Sequence, residues 1–102
     1  MRATKRFFWW ILIGSAGGHN RARILHELTQ TPRNANELAT TLNLDYKTTR
    51  HHLEFLETNR LITTVGNRYG LLYFPSDLLE ENIHLFNEIW EEITKKKNKN
   101  KR

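Results

Sequence analysis

The stretch Asn34–Ile62, NANELATTLNLDYKTTRHHLEFLETNRLI, constrains this chain more than any other. It holds two short helical patterns with only a few residues between them. Asn34 can cap the first, and Glu37 follows three residues on, where a capping box needs it. Ala35, Leu38, Ala39 and Leu42 then recur on one face. Asn43 stands where the chain must turn sharply, and asparagine tolerates the left-handed backbone such a turn needs. Leu44 anchors the turn, and Asp45 caps the second helix at the positive end of its dipole. Thr49, Leu53 and Leu56 make that helix's inward stripe, with His52 beside them. Its outward face opens with Tyr46, Lys47, Thr48, Arg50 and His51, then turns acidic at Glu54 and Glu57. Only the first two turns therefore suit an anionic polymer.

The flanks read as support for this pair. Residues 1–18 carry an apolar run, Phe7–Ile13, ended by Gly14, Gly17 and Gly18. A basic start before such a run can pass for a secretory signal or a membrane-surface anchor. The seven apolar residues fall far short of the roughly 20 that span a bilayer. A packing or dimerisation helix is favoured, with Phe7, Phe8, Trp9 and Trp10 on the interface. His19 to Gln30 forms a helix with Ile24, Leu25 and Leu28 inward and Arg21 and Arg23 pointing elsewhere; Thr31-Pro32 ends it. Leu61–Val65 and Leu71–Phe74 are β-rich runs around a glycine-flanked loop, so a hairpin is expected with Arg68 at its tip. Ser76 caps one last helix, whose Leu79, Ile83, Phe86, Trp90 and Ile93 follow a coiled-coil-like 4-3-4-3 spacing, with Leu78, Leu85 and Ile89 as a second stripe. The first seam is assigned to a partner copy.

Charge adds less than it promises. The formal net charge is +5, but residues 95–102 hold six of the sixteen basic residues. Without them ten basic residues face eleven acidic ones. Distribution says more: six of the acids lie between Asp77 and Glu92, while His19 to Phe74 has seven basic residues against five acidic. There is no cysteine, which excludes a disulfide scaffold and a thiolate metal site.

Capped helix, tight turn, basic-faced helix and hairpin together give the expected fold class: mainly α with a small β-hairpin, a winged helix-turn-helix of five helices and a two-stranded wing. The expected division is a dimerisation helix at 1–18, a DNA-binding domain at 19–75, a second dimerisation helix at 76–94 and a basic disordered tail at 95–102. Lys47, Thr48, Arg50 and His51 are placed nearest the bases, Tyr46 and Thr49 in phosphate or packing roles, and Arg68 on the flanking backbone.

The run LNLDYKTTRHHLEFLETNRLI resembles the recognition segment of ArsR-type winged-helix regulators through His52, Leu53, Leu56, Leu61 and Ile62. With the NANELATT that precedes it, it is similar to small archaeal regulators of that type. The resemblance covers roughly Arg21 to Phe74 and implies a dimeric, cytoplasmic DNA-binding regulator, often a repressor. Two positions depart from it. Asn43 replaces the usual turn glycine, a mild change. Arg60 replaces the glycine before the closing Leu-Val pair, so the helix exit is expected to differ, with Asn59 taking the left-handed conformation.

Other chemistries find less support. His84 and Glu88 are one helical turn apart with Asp77 upstream, but nothing completes a metal site, and a solvated face is favoured. No cofactor is expected. No nucleophile–base pair or phosphate-cradling glycine loop is present, so no enzyme is expected. The competing class is a winged-helix interaction module or membrane-associated adaptor that does not read DNA.

Overall fold

The computed structural model describes residues 2–67 and 70–99. Helix α1 (Ala3–Trp9) widens into a π-helical segment, Trp10–Gly14. Helices α2 (Gly18–Gln30), α3 (Ala35–Leu42) and α4 (Tyr46–Thr58) follow. Strands β1 (Ile62–Asn67) and β2 (Gly70–Pro75) form the antiparallel wing, in register from Ile62 opposite Pro75 to Asn67 opposite Gly70. Helices α5 (Asp77–Glu81) and α6 (Ile83–Lys99) close the chain. Among the described residues the result is a winged helix-turn-helix with six helices and one hairpin.

The local chemistry behaves as expected at the caps. Asn34 and Glu37 form a complete capping box, Asp45 accepts from the Thr48 N–H at 3.0 Å, and Ser76 accepts from the Leu79 N–H at 3.1 Å. Asn43 is left-handed at φ 55°. Each such cap contributes on the order of 1 kcal/mol.

Arg60 departs from expectation in the opposite way. It holds φ 64° itself, while Asn59 stays at φ −88°. The reason is tertiary. The ends of α3 and α4 close with the same bond pattern, Leu44 N–H to the Ala39 carbonyl and Leu61 N–H to the Leu56 carbonyl, at 2.8 and 2.9 Å. In both, the residue before the leucine must be left-handed. At α4 this swings Leu61 into the core, and Ser76 Oγ donates to the Arg60 carbonyl at 2.7 Å. A left-handed non-glycine residue costs about 1–2 kcal/mol, partly offset by the lower unfolded-state entropy of arginine. Arg60→Gly is therefore expected to stabilise the fold by about 0.5–1 kcal/mol. Thermal unfolding of the two proteins side by side checks this; a lower melting temperature for the glycine variant would contradict it.

The core is one cluster, in which Leu25, Leu28, Leu38, Leu53, Leu56 and Leu61 join Phe8, Ile11 and Leu12 from the N-terminal segment and Leu79, Phe86 and Ile89 from the C-terminal one. This corrects the expected dimer seam: Phe8, Leu79 and Phe86 are fully buried within their own chain and present nothing to a partner. The seam assumed a single continuous last helix. Instead the chain leaves the helix at Asn82 (φ −116°, ψ 25°), whose side-chain amide donates to the Leu78 carbonyl at 2.9 Å. That break turns Leu79 and Phe86 inward on both pieces. Trp90 stacks on His26 at 4.3 Å and stays half-buried, as do Phe7, Ile83 and Ile93. Trp9 and Trp10 remain exposed, at 39% and 48%. Helix α6 also continues to Lys99, past the expected start of a disordered tail at Lys95; Asn100–Arg102 lie outside the described residues.

Candidate nucleic-acid interface

Helix α4 rests on the core through Thr49, His52, Leu53 and Leu56. Its opposite face, over the first two turns, presents Tyr46, Lys47, Thr48 and His51 to solvent. Asp45 holds the start of the helix through both the N–H and the hydroxyl of Thr48, at 3.0 and 3.3 Å. The structure thus brings four of the expected interface residues together on one exposed face. Thr49 is fully buried, and its hydroxyl donates to the Asp45 carbonyl at 2.8 Å, so its expected DNA role is withdrawn. Arg68 lies outside the described residues.

Arg50 is half-buried on the flank of α4 that faces the wing. Its Nη1 donates to the Tyr46 hydroxyl at 3.4 Å, and its Nη2 lies 4.0 Å from Glu54. The hydrogen bond to Tyr46 and the nearby Tyr73 hold the guanidinium above its already high ordinary pKa, so it is always charged. Tyr73, on β2, is buried and its hydroxyl is pushed up by that burial. The Tyr73 N–H donates to the Arg33 carbonyl at 2.9 Å, tying the wing to the segment before α3. Sequence reading missed Tyr73. The alternation of β2, which buries Tyr73 and exposes Leu72, was the available signal.

Behind α4 lies a second unexpected group. Arg21, read from sequence as pointing away from the core, is buried. Its Nε donates to the Ile11 carbonyl at 3.1 Å and its Nη2 to Ser15 Oγ at 2.5 Å, while Ser15 donates to the Trp10 carbonyl at 2.8 Å. The guanidinium lies 4.3 Å from the centre of the Phe55 ring, a cation–π contact with α4. Arg21 thus fastens the π-helical segment to the back of α4. Gly17, left-handed at φ 83°, makes room: a Cβ there would sit 2.7 Å from His52 Cε1 and 3.0 Å from Arg21 Nη1.

His52 is buried, and its Nδ1 has no hydrogen-bond partner among the described residues. Burial, then the charge of Arg21 and that of His51, push its pKa below the ordinary 6.5. The sign follows directly. The unfolded chain takes up a proton at His52 before the folded chain does, so stability falls as pH drops through 6.5 and is fully present above it. His52→Gln is expected to reduce this acid sensitivity, seen as a flatter plot of unfolding free energy against pH between about 7 and 5. Identical plots for the two proteins would mean that His52 is not the group responsible.

Among the described residues no three histidine or carboxylate side chains converge as a metal site would need, and Glu88 pairs with Lys5 at 3.4 Å. None of the described helices is long and apolar enough to cross a membrane.

A capped, basic-faced helix behind a tight turn, braced by a two-stranded wing, defines a winged helix-turn-helix DNA-binding protein. Residues 19–64 match the family described as "Bacterial regulatory protein, arsR family". The match takes in α2, α3, α4 and the start of β1, 46 of the 102 residues, and it supports reading the chain as a DNA-binding transcriptional regulator. No curated protein matches the chain significantly. Among solved structures, reduced HlyU from Vibrio cholerae is similar at 20% identity and a TM-score of 0.65, covering 85% of this chain and 90% of its own. The homodimeric winged helix-turn-helix DNA-binding domain Mb0332 from Mycobacterium bovis has 18% identity and a TM-score of 0.67, with 88% and 79% covered. MepR, a transcription regulator of the Staphylococcus aureus multidrug efflux pump MepA, has 17% identity and a TM-score of 0.66, with 95% and 75% covered. At these identities the likeness is one of fold.

Proposed function

We propose that two copies of the chain bind a duplex as a homodimeric, cytoplasmic repressor, each placing the first two turns of α4 in a major groove. Lys47, Thr48 and His51 face the base edges there. The observation that carries this reading is their shared exposure on one face of α4. Lysine is a donor suited to guanine, and a threonine hydroxyl serves either base type. Exposed Trp9 and Trp10, with half-buried Phe7, Ile83, Trp90 and Ile93 on α1 and α6, supply the apolar surface for pairing. The homodimeric state of Mb0332 supports the same assembly. Binding sites are expected as pseudo-palindromes with half-sites about 10 bp apart or a multiple of that.

Selection of bound sequences from random duplex DNA tests the reading; the absence of any enriched motif at moderate salt would remove it. For the pairing, light scattering is expected to give twice the monomer mass for the wild type and the monomer mass for the double variant Trp9→Ser, Trp10→Ser. A monomeric wild type bound singly to its selected site would overturn the homodimer.

A further inference from the structure

Between the start of α3, the flank of α4 and strand β2 runs a groove of about 230 Å³, lined by Asn34, Asn36, Tyr46, Arg50 and Tyr73 among others. No acidic residue lines it among the described residues. Base reading by the outer face of α4 makes no use of this groove.

Arg50 does not behave as a base reader. A base-reading arginine projects its guanidinium from the helix into the groove of the duplex, with the fork free. Here the fork is turned along the helix by Tyr46 and Glu54. Its Nε is sealed from solvent yet finds no acceptor among the described residues. The side chain as a whole is 42% exposed, so the rest of the fork stays open to a ligand. Tyr73 offers a second polar group from the wing side, kept protonated by its burial. From the third side come the first turn of α3 and its dipole. The capping box satisfies the N–H groups of Glu37 and Asn34, whereas the opening N–H groups of a helix have no partner inside it.

We propose that this groove seats one backbone phosphate of the bound duplex, clamped by Arg50 with Tyr46 and Tyr73, so that Arg50 positions the reading helix and does not select the base. The proposal rests on the DNA-binding reading. Three elements meet on a single phosphate, so its capture fixes the depth and pitch of α4 while carrying no sequence information itself. The charge-assisted bonds suit a phosphate oxygen, to which a guanidinium donates from its terminal nitrogens.

The test uses the full chain, its selected operator duplex and a scrambled duplex of equal length, titrated over a range of salt. Arg50→Ala is expected to weaken binding to both duplexes by a similar factor, about tenfold. Its slope of log affinity against log salt is expected to be shallower by about 0.9 for the one lost phosphate. Tyr73→Phe, which removes only a hydroxyl, is expected to show a smaller loss of the same kind. Uncharged methylphosphonate linkages are then moved one at a time along the operator. At one position per half-site the change is expected to weaken the wild type but leave Arg50→Ala unaffected. A loss confined to the operator, with an unchanged salt slope, would make Arg50 a base reader and overturn the proposal. So would an Arg50→Ala variant that binds both duplexes like the wild type. A wild type that binds neither duplex would remove the DNA reading itself, a result distinct from both.

Discussion

Replacing Arg21 by alanine is expected to destabilise the protein by about 3 kcal/mol, a fall in melting temperature of roughly 15 °C for a chain of this size. Three losses add up in the same direction. The Ile11 carbonyl loses its charged donor inside the protein, where an unsatisfied polar group costs about 1–3 kcal/mol. Phe55 loses a desolvated cation–π partner, a contact of about 1–2 kcal/mol. Ser15 loses the guanidinium that orients it toward the Trp10 carbonyl. Relief of the arginine's own desolvation, which lowers its pKa, opposes these losses but does not restore the missing donors. Arg21→Lys keeps the charge but not the planar fork, and is expected to fall between the two. Thermal unfolding at pH 7 gives the comparison; a melting temperature within a degree or two of wild type would show that the π-helical segment holds itself in place. A second readout follows from His52. Burial outweighs Arg21 in depressing its pKa, so the acid sensitivity of Arg21→Ala should shrink without vanishing.

What could be read in the sequence was whatever is decided within a few residues. Asn34 with Glu37, Asp45 and Ser76 cap their helices because a cap needs only a side-chain oxygen and an N–H two or three residues on. Asn43 turns left-handed because asparagine can do so locally. The winged architecture was legible for the same reason, each of its parts carrying its own signal.

The errors have one cause. Arg21 looks like a surface arginine until a carbonyl ten residues earlier is laid against it. Nothing in the spacing of Phe7–Ile13 says that the helix widens there and offers that carbonyl inward. The last helix shows an unbroken heptad-like spacing, yet Asn82 interrupts it, and one non-helical residue is enough to turn Leu79 and Phe86 from a partner to the core. Arg60 is the converse case. Local cost argued against a left-handed arginine, but burial of Leu61 and the bond from Ser76 outweigh a cost of about 1–2 kcal/mol. At the candidate interface, Thr49 lies on the inward stripe where its spacing put it, and of its two expected roles the structure keeps packing. Arg50 fell on the expected side but turns toward Tyr46 and the wing, because its length lets the fork follow its neighbours instead of the helix face.

Lys47→Glu is expected to abolish measurable operator binding at moderate salt, with a loss of at least about 100-fold. Lys47 is exposed on the first turn of α4, on the face free of the core. The substitution removes a base or phosphate donor and sets a carboxylate against the duplex, so attraction becomes repulsion at the same site. The later part of that face already carries Glu54 and Glu57, and the first two turns have little positive charge to spare. The fold should not suffer, because the side chain contributes nothing to the core and an acid near a helix N-terminus suits the dipole. Unfolding measurements are therefore expected to match wild type or exceed it slightly, which separates a lost interface from a lost structure. Lys47→Ala should give a smaller loss, about tenfold. Titration of the selected operator with the three proteins decides the matter. Binding by Lys47→Glu within a few-fold of wild type would mean that the exposed start of α4 does not approach DNA, and the surface proposed for reading would have to be sought elsewhere on the chain.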